Sequence, residues 1–214
     1  MVATRLENLR ARPISQRLQD AEDFFMKQGV VYNTLERLAR RLNEEQIPYA
    51  VVGGMALNLH DYERMTRDID ILMTSESIDE FIKKCVGLGY VQAFAGARKS
   101  FRDTTSQTTI EVLITGEYPG DGKPKPVVFP DPSTAYIEVN GIRVITLEKL
   151  IELKLASGLS ASHRLRDLAD VQDLITTLRL PLNFADKLDP SVRPEYQRLW
   201  QAAQSAYDKD ETDS

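Results

Sequence analysis

Cysteine and long apolar runs are both scarce in this sequence. A single cysteine, Cys85, among 214 residues excludes an internal disulfide and a cysteine-based zinc site. No apolar run approaches the ~20 residues that a membrane-spanning helix needs. The amino-terminal segment MVATRLENLRARP also lacks the apolar core of a signal peptide. We therefore expect a cytoplasmic protein that does not engage a membrane.

An excess of positive charge is missing as well. Asp and Glu number 32 against 27 Lys and Arg, which gives a net charge of −5 and an isoelectric point of about 5.2. An acidic protein does not bind polyanions indiscriminately, so any contact with nucleic acid must be local. A chain of this length can bury a core without disulfide or metal staples.

Strand patterns occupy the middle of the chain and helical patterns occupy both ends. Helices are predicted on either side of Gly29, strands at PYAVV and RDIDILMT, and a helix at MALNLHDY between them. These patterns predict an α+β fold in which a small mixed sheet has flanking amino-terminal helices and a helical carboxyl-terminal part. We expect three regions, with bounds at residues 1–46, 47–146 and 147–214.

Turn residues organise the rest of the chain. The segment ESIDEFIKKCVGLGY predicts a helix that ends at Gly87 or Gly89, and two or three strands follow up to residue 115. Asn140-Gly141 predicts the tip of a β-hairpin. The proline-rich segment 116–133 is expected to be an ordered loop or a flap, and its GKPKP, like ARKSFR before it, either forms a solvated loop or touches an acidic substrate such as RNA.

Two aspartates, Asp68 and Asp70, occupy alternate positions on the second predicted strand. Because successive residues of a strand point to opposite faces, Asp68 and Asp70 share one face. Adjacent carboxylates repel each other, and a divalent cation such as Mg²⁺ or Mn²⁺ relieves that repulsion. Glu111, the one acid in the strand TTIEVLI, is a candidate third ligand. The alternative is that the aspartates are solvated and pair with nearby arginines.

A glycine pair precedes these acids. Gly53 and Gly54 lie between a predicted strand and a predicted helix, where a bare backbone allows close approach of a ligand and free N–H groups attract phosphate. The alternative is a simple tight turn. A phosphate cradle followed by an acid cluster is the equipment of phosphoryl or nucleotidyl transfer.

These residues carry a family resemblance. VGG, thirteen residues and then DID resemble the active-site signature of the DNA polymerase β-like nucleotidyltransferase superfamily. More narrowly, VVGGMALNLHDYERMTRDIDILM and the later VITLEKLIELKLASGLSASHRLRDLADVQDLI resemble the AbiEii-like and MenA-like branch. The resemblance covers about residues 49–175.

The resemblance implies a role for each matched residue. Asp68, Asp70 and Glu111 would be catalytic and would bind metal, with Glu111 at the position of an acid that helps to deprotonate the acceptor hydroxyl. The residues implied to contact the nucleotide are Gly53, Gly54, Lys154 and Asp170, with Asp167 beside them. For both helix aspartates, ion pairing within the protein is the alternative, and Asp170 is spaced to pair with Arg166. His60 and His163 are expected to have surface or core roles.

The implied activity is Mg²⁺- or Mn²⁺-dependent transfer of a nucleoside monophosphate from an NTP to an acceptor hydroxyl. The resemblance implies a tRNA acceptor, the role of a toxin and an antitoxin protein as partner. The alternatives are transfer to a small molecule or a protein. A non-catalytic module that binds a nucleotide or a partner protein through the same fold is the remaining alternative.

Overall fold

A seven-stranded mixed sheet forms the centre of the structure, a computed structural model that describes residues 29–212. The strands follow the spatial order β3-β4-β5-β2-β1-β7-β6. Their bounds are β1 Ala50–Val52, β2 Asp68–Met73, β3 Tyr90–Gln92, β4 Ser100–Asp103, β5 Thr109–Ile114, β6 Tyr136–Val139 and β7 Ile142–Ile145.

Helices precede, interrupt and follow the strands. They are α1 Val30–Glu44, α2 Gly53–Leu59, α3 Ser75–Cys85, α4 Leu147–Ser160, α5 Leu165–Thr177 and α6 Arg193–Thr212, with 3₁₀ turns at Ser162–Arg164 and Leu182–Lys187. The predicted α+β class with a mixed sheet is confirmed. No helix in residues 29–212 has both the length and the apolarity to cross a membrane.

The core lies on both faces of the central strands. All three residues of β1 are buried, and because they point alternately to opposite faces, both faces of the sheet are covered there. Helix α1 packs an apolar face against β2 and β7. That face consists of Tyr32, Leu35, Leu38, Ala39 and Leu42, and it has the helical spacing that the sequence shows.

A crossover connection brings the two acid-bearing strands together. Strands β2 and β5 are parallel neighbours, and parallel strands cannot be joined by a tight turn. The intervening chain, residues 74–108, supplies helix α3 and the antiparallel strands β3 and β4 before it returns to the sheet. This return places β5 directly beside β2.

The sequence predicts the turn of the β6–β7 hairpin correctly and the ends of the helices less accurately. Asn140 and Gly141 have φ angles of 51° and 77°, as a two-residue type I′ turn requires. Helix α3, however, ends at Cys85, before Gly87 and Gly89, and helix α2 begins at Gly53 itself. The helix predicted before Gly29 lies outside the described residues.

One amide side chain shapes the segment between α2 and β2. The Nδ2 group of Asn58 donates to the carbonyl oxygens of Arg64 at 2.7 Å and Gly54 at 3.0 Å. Its Oδ1 accepts the Arg64 N–H at 3.1 Å. These bonds fix how the chain enters the strand that carries Asp68 and Asp70.

We predict that Asn58→Ala destabilises the protein by about 2 kcal/mol, because it removes three hydrogen bonds that are each worth roughly 0.5–1.5 kcal/mol net. Urea unfolding monitored by circular dichroism measures the change. Asn183→Ala, at an exposed position, is the control and should change the free energy of unfolding by less than about 0.5 kcal/mol. Equal stabilities of the two variants would contradict the assigned role of Asn58.

Candidate active site

The acids of β2 and β5 lie side by side on one face of the sheet. Asp68 and Asp70 are half-buried on either side of the fully buried Ile69, so both carboxylates point away from it. In the parallel register, Asp70 is opposite Glu111 and Asp68 is opposite Thr109. Directly opposed residues share a face, and the two strands therefore present three carboxylates together.

The glycine pair is packed against the residues that follow it in the motif. Gly53 has a φ of +63°, and a Cβ built on it would lie 2.0 Å from Oδ2 of Asp70. A Cβ on Gly54 would lie 2.9 Å from Cβ of Thr66. In this structure the close approach that the glycines permit is made by Asp70 and Thr66. Phosphate binding by these glycines stays a prediction.

The environment of Asp70 disfavours its charged form. Burial raises the pKa of Asp70 to about 6, and the neighbouring Asp68 and Glu111 push it in the same direction. Lys154 and the Gly54 N–H oppose them by lowering this pKa. The carboxylate therefore carries an electrostatic cost that a bound cation would relieve.

Glu111 has a hydrogen-bond partner that the sequence did not reveal. Ser100, on β4, is directly opposite Glu111 in the antiparallel register of β4 and β5. Its hydroxyl donates to Oε1 of Glu111 at 2.9 Å. The position of Ser100 depends on the register of the β4–β5 hairpin, and the sequence contains no signal that fixes this register.

The donor set is suited to a hard divalent cation. Carboxylate oxygens are the ligands that Mg²⁺ and Mn²⁺ prefer. Burial and the neighbouring Asp68 and Glu111 raise the pKa of Asp70, and a cation bound to these acids would offset the repulsion among them. Among the described residues, no three His, Cys, Asp or Glu side chains are arranged to hold an ion as they stand. The backbone register places Asp70 and Glu111 side by side on one face of the sheet.

A buried ion-pair network lies between helices α4 and α5 and the chain before β2. The Lys154 ammonium donates to Asp170 at 2.7 Å and to Asp167 at 3.0 Å. Asp170 is 2% exposed and also accepts from Nε of Arg64 at 2.8 Å, while Asp167 accepts from Ser157 at 2.7 Å. The network therefore ties the helical part of the chain to the segment that leads into the acid strand.

This network revises the pairing suggested by helical spacing. Asp170 pairs with Arg64 and Lys154, whereas Arg166, four residues before it, is exposed. The structure thus contains the ion pairing that was the alternative for Asp167 and Asp170. A contact of Lys154 with triphosphate stays a prediction, and Lys154 is near enough to Asp70 to lower its pKa.

The two histidines lie apart from this chemistry. Nε2 of His60 is 2.7 Å from the carbonyl oxygen of Ile145. Burial lowers the pKa of His60, so the neutral ring donates this hydrogen bond. His163 is exposed in the first 3₁₀ turn. These positions agree with the core and surface roles expected for the two residues.

Three of the five cations in the basic stretches pair with acids of the protein, whereas Arg102 and Lys123 are exposed without an ion pair to a described residue. Lys99 pairs with Glu117 at 2.5 Å, and Arg98 pairs with Asp79. In the proline-rich loop, Lys125 pairs with Asp121 at 2.6 Å. This loop packs on the end of α4 beside a cleft of about 190 Å³, and the cleft lining includes Lys125, Val127, Ala156, Leu159, Ser160 and Val192.

Comparison with known proteins gives structural likenesses at low identity. JHP933 of Helicobacter pylori is 16% identical, with a TM-score of 0.44 over 85% of this chain and 94% of that one. TM1012 of Thermotoga maritima, provisionally named a nucleotidyltransferase, is 20% identical, with a TM-score of 0.45, and the match covers 64% of this chain and 91% of that one. ANT(2'')-Ia, solved in complex with adenylyl-2''-tobramycin, is 13% identical, with a TM-score of 0.41, and the match covers 82% of this chain and 97% of that one.

No protein-family model and no curated protein sequence matches this chain. At identities of 13–20% and TM-scores below 0.5, the structural likenesses do not assign the chain to a family. The AbiEii-like and MenA-like branch suggested by the motifs therefore remains a prediction.

The first prediction from the site concerns Gly53→Ala. The new Cβ would collide with the Asp70 carboxylate, and the positive φ would add about 1–2 kcal/mol of backbone strain. We expect lower stability together with a loss of divalent-cation binding, measured by urea unfolding and Mn²⁺ titration. Gly141→Ala is the matched control, because its φ is +77° and nothing lies within 4 Å of its added Cβ.

The control should lose stability and keep its Mn²⁺ affinity. A Gly53→Ala protein that binds Mn²⁺ as tightly as the Gly141→Ala protein would show that Gly53 does not govern the position of Asp70.

The second prediction follows from the raised pKa of Asp70. A group whose pKa is raised by folding stabilises the protein below its unfolded pKa, and this contribution is lost as the pH rises through about 6. In the absence of metal at pH 8, Asp70→Asn should therefore be more stable than wild type, by at most about 3 kcal/mol. Below about pH 4 the gain should disappear.

Urea unfolding in EDTA at both pH values measures this difference. Asp79→Asn, an exposed carboxylate on α3, serves as control and should give no pH-dependent gain of this kind. Identical stabilities of wild type and Asp70→Asn at pH 8 would mean that the Asp70 carboxylate is not under electrostatic strain.

Proposed function

We propose that the protein is a divalent-metal-dependent nucleotidyltransferase that moves a nucleoside monophosphate from an NTP to an acceptor hydroxyl. The observation that carries this proposal is the lateral register of Asp70 and Glu111, beside Asp68 on the same face of the sheet. Carboxylates placed side by side repel one another, and a bound divalent cation would offset that repulsion.

The charge balance around the acids supports a cationic ligand. Lys154, Arg64 and Arg164 all form their ion pairs with the helix aspartates Asp167 and Asp170. Asp70 and Glu111 form no ion pair with any of the residues that the structure describes. These two carboxylates therefore lack a counter-charge in direct contact.

Asp68, Asp70 and Glu111 would hold the metal. A bound Mg²⁺ or Mn²⁺ would supply charge neutralisation on the attacking and leaving oxygens. The acceptor oxygen would bond to the α-phosphorus as the bond to pyrophosphate breaks, and Glu111 would accept the proton of the acceptor hydroxyl. Gly53 and Gly54 would direct backbone N–H groups at the nucleotide phosphates, and Lys154 would add positive charge near Asp70.

The distribution of charge in the protein limits which acceptor molecules are compatible with the proposal. The whole chain is acidic, and of the cations in the two basic stretches only Arg102 and Lys123 have no acidic partner among the described residues. An extended RNA footprint needs many unpaired basic side chains along its length. We therefore favour a small hydroxyl-bearing molecule or a single RNA end, such as that of tRNA, over a long RNA. A toxin role with an antitoxin partner in the cytoplasm fits this proposal.

The proposal is tested with NTPs labelled at the α-phosphate, Mg²⁺ and either total RNA or a small-molecule extract. We expect label transfer that falls about 100-fold or more in Asp70→Asn, because a group that stabilises charge in the transition state is lost. Asp79→Asn should retain wild-type transfer. Label from the γ-phosphate should not be transferred.

Equal transfer by wild type and Asp70→Asn would contradict the assignment, and transfer of the γ-label would indicate a kinase. Calorimetry separates the non-catalytic alternative, since nucleotide binding that is indifferent to Mg²⁺ would favour a binding module.

A further inference from the structure

Ser100 has no role in the function proposed above. It lies at the start of β4 and is partly buried, and its hydroxyl donates to Oε1 of Glu111 at 2.9 Å. Serine on a strand has no strong structural preference that would place it there.

The strand registers put Ser100 in line with the candidate acids. Asp70 on β2 is opposite Glu111 on β5, and Glu111 is opposite Ser100 on β4. Directly paired residues share a face, so the three side chains form one row across three neighbouring strands. Glu111 lies in the middle of the row, with a repelling carboxylate on one side and a donating hydroxyl on the other.

We propose that Ser100 is a positioning residue that orients the Glu111 carboxylate for binding a divalent cation. The inference depends on the proposed function, in which Glu111 is a metal ligand and the proton acceptor. The Ser100 hydroxyl occupies Oε1 and leaves Oε2 for the ligand. Nothing in the sequence motif includes this residue, because it lies eleven positions before Glu111 on a different strand.

The length of the glutamate side chain explains why such a partner is needed. Glutamate has three rotatable side-chain bonds, so fixing its carboxylate for binding costs conformational entropy. A hydrogen bond to one carboxylate oxygen restricts the side chain before the ligand binds, so less conformational entropy is lost on binding. Partners that orient metal ligands in this way typically change metal affinity or activity by about 10–100-fold when they are removed.

The same hairpin contains a matched serine away from the site. Ser106, in the turn between β4 and β5, donates to Oδ1 of Asp103 at 2.9 Å. Asp103 is buried and pairs with Arg37 of α1, so this bond belongs to the scaffold. Both serine hydroxyls thus donate to a carboxylate at 2.9 Å, but that of Ser106 also bonds with Thr34 and Thr108, and only Ser100 reaches the acid row.

The experiment measures Mn²⁺ binding by electron paramagnetic resonance on the full-length protein, together with kcat and KM for transfer. Ser100→Ala is expected to raise the Kd for Mn²⁺ about tenfold and to lower kcat with little change in the KM for NTP. Ser100→Thr keeps the hydroxyl and should restore both values. Ser106→Ala should reduce stability and leave Mn²⁺ affinity unchanged.

A double-mutant cycle tests whether Ser100 acts through Glu111. If it does, Ser100→Ala combined with Glu111→Gln should bind Mn²⁺ no more weakly than Glu111→Gln alone. Additive losses of Mn²⁺ affinity in the double variant would overturn the positioning role. A Kd of Ser100→Ala within twofold of the wild-type Kd would also overturn it, and so would a wild-type protein that binds no Mn²⁺. Ser100-dependent Mn²⁺ binding without label transfer would uphold this inference and refute the proposed transferase activity.

Discussion

Repulsion among carboxylates on one face of two parallel strands is the constraint around which this region is organised. Asp70 is the focus, because burial, Asp68 and Glu111 all disfavour its charge. Its surroundings limit the cost without removing it. Gly53 leaves room for the carboxylate, the Gly54 N–H donates to it, and the positive charge of Lys154 lowers its pKa. Folding thus maintains a local excess of negative charge that a cationic ligand would neutralise.

The helical part of the chain contributes to this region through a balanced ion-pair network. Lys154 and Arg64 share the buried carboxylate of Asp170, and Asp167 takes a second contact from Lys154. Removing one partner from such a buried set leaves an uncompensated charge, so the network fixes α4, α5 and the chain before β2 relative to one another. The entry into the acid strand is further fixed by Asn58, which joins the first turn of α2 at Gly54 to Arg64 in the segment before β2.

Neutralisation of the basic stretches bears on what could approach this face. Lys99 pairs with Glu117 and Lys125 pairs with Asp121, so part of the positive charge in these stretches already has an acidic partner within the protein. The proline-rich loop is held against α4 by Lys125, and Gly120 lies so close to α4 that a Cβ would be 2.2 Å from Oγ of Ser160. Together with the net charge of −5, this pairing favours a compact acceptor over an extended polyanion.

The sequence alone determined whatever depends on local periodicity and turn chemistry: the α+β class, the helix after Gly29, the strand that carries both aspartates and the hairpin at Asn140. Its motif also selected Asp68, Asp70 and Glu111. Only the tertiary structure decided the register that sets Glu111 beside Asp70, the bond from Ser100, and the pairing of Asp170 with Arg64 in place of Arg166. Those contacts join residues far apart in the chain, and strand register and helix docking are set by packing of the whole core, which no local pattern records.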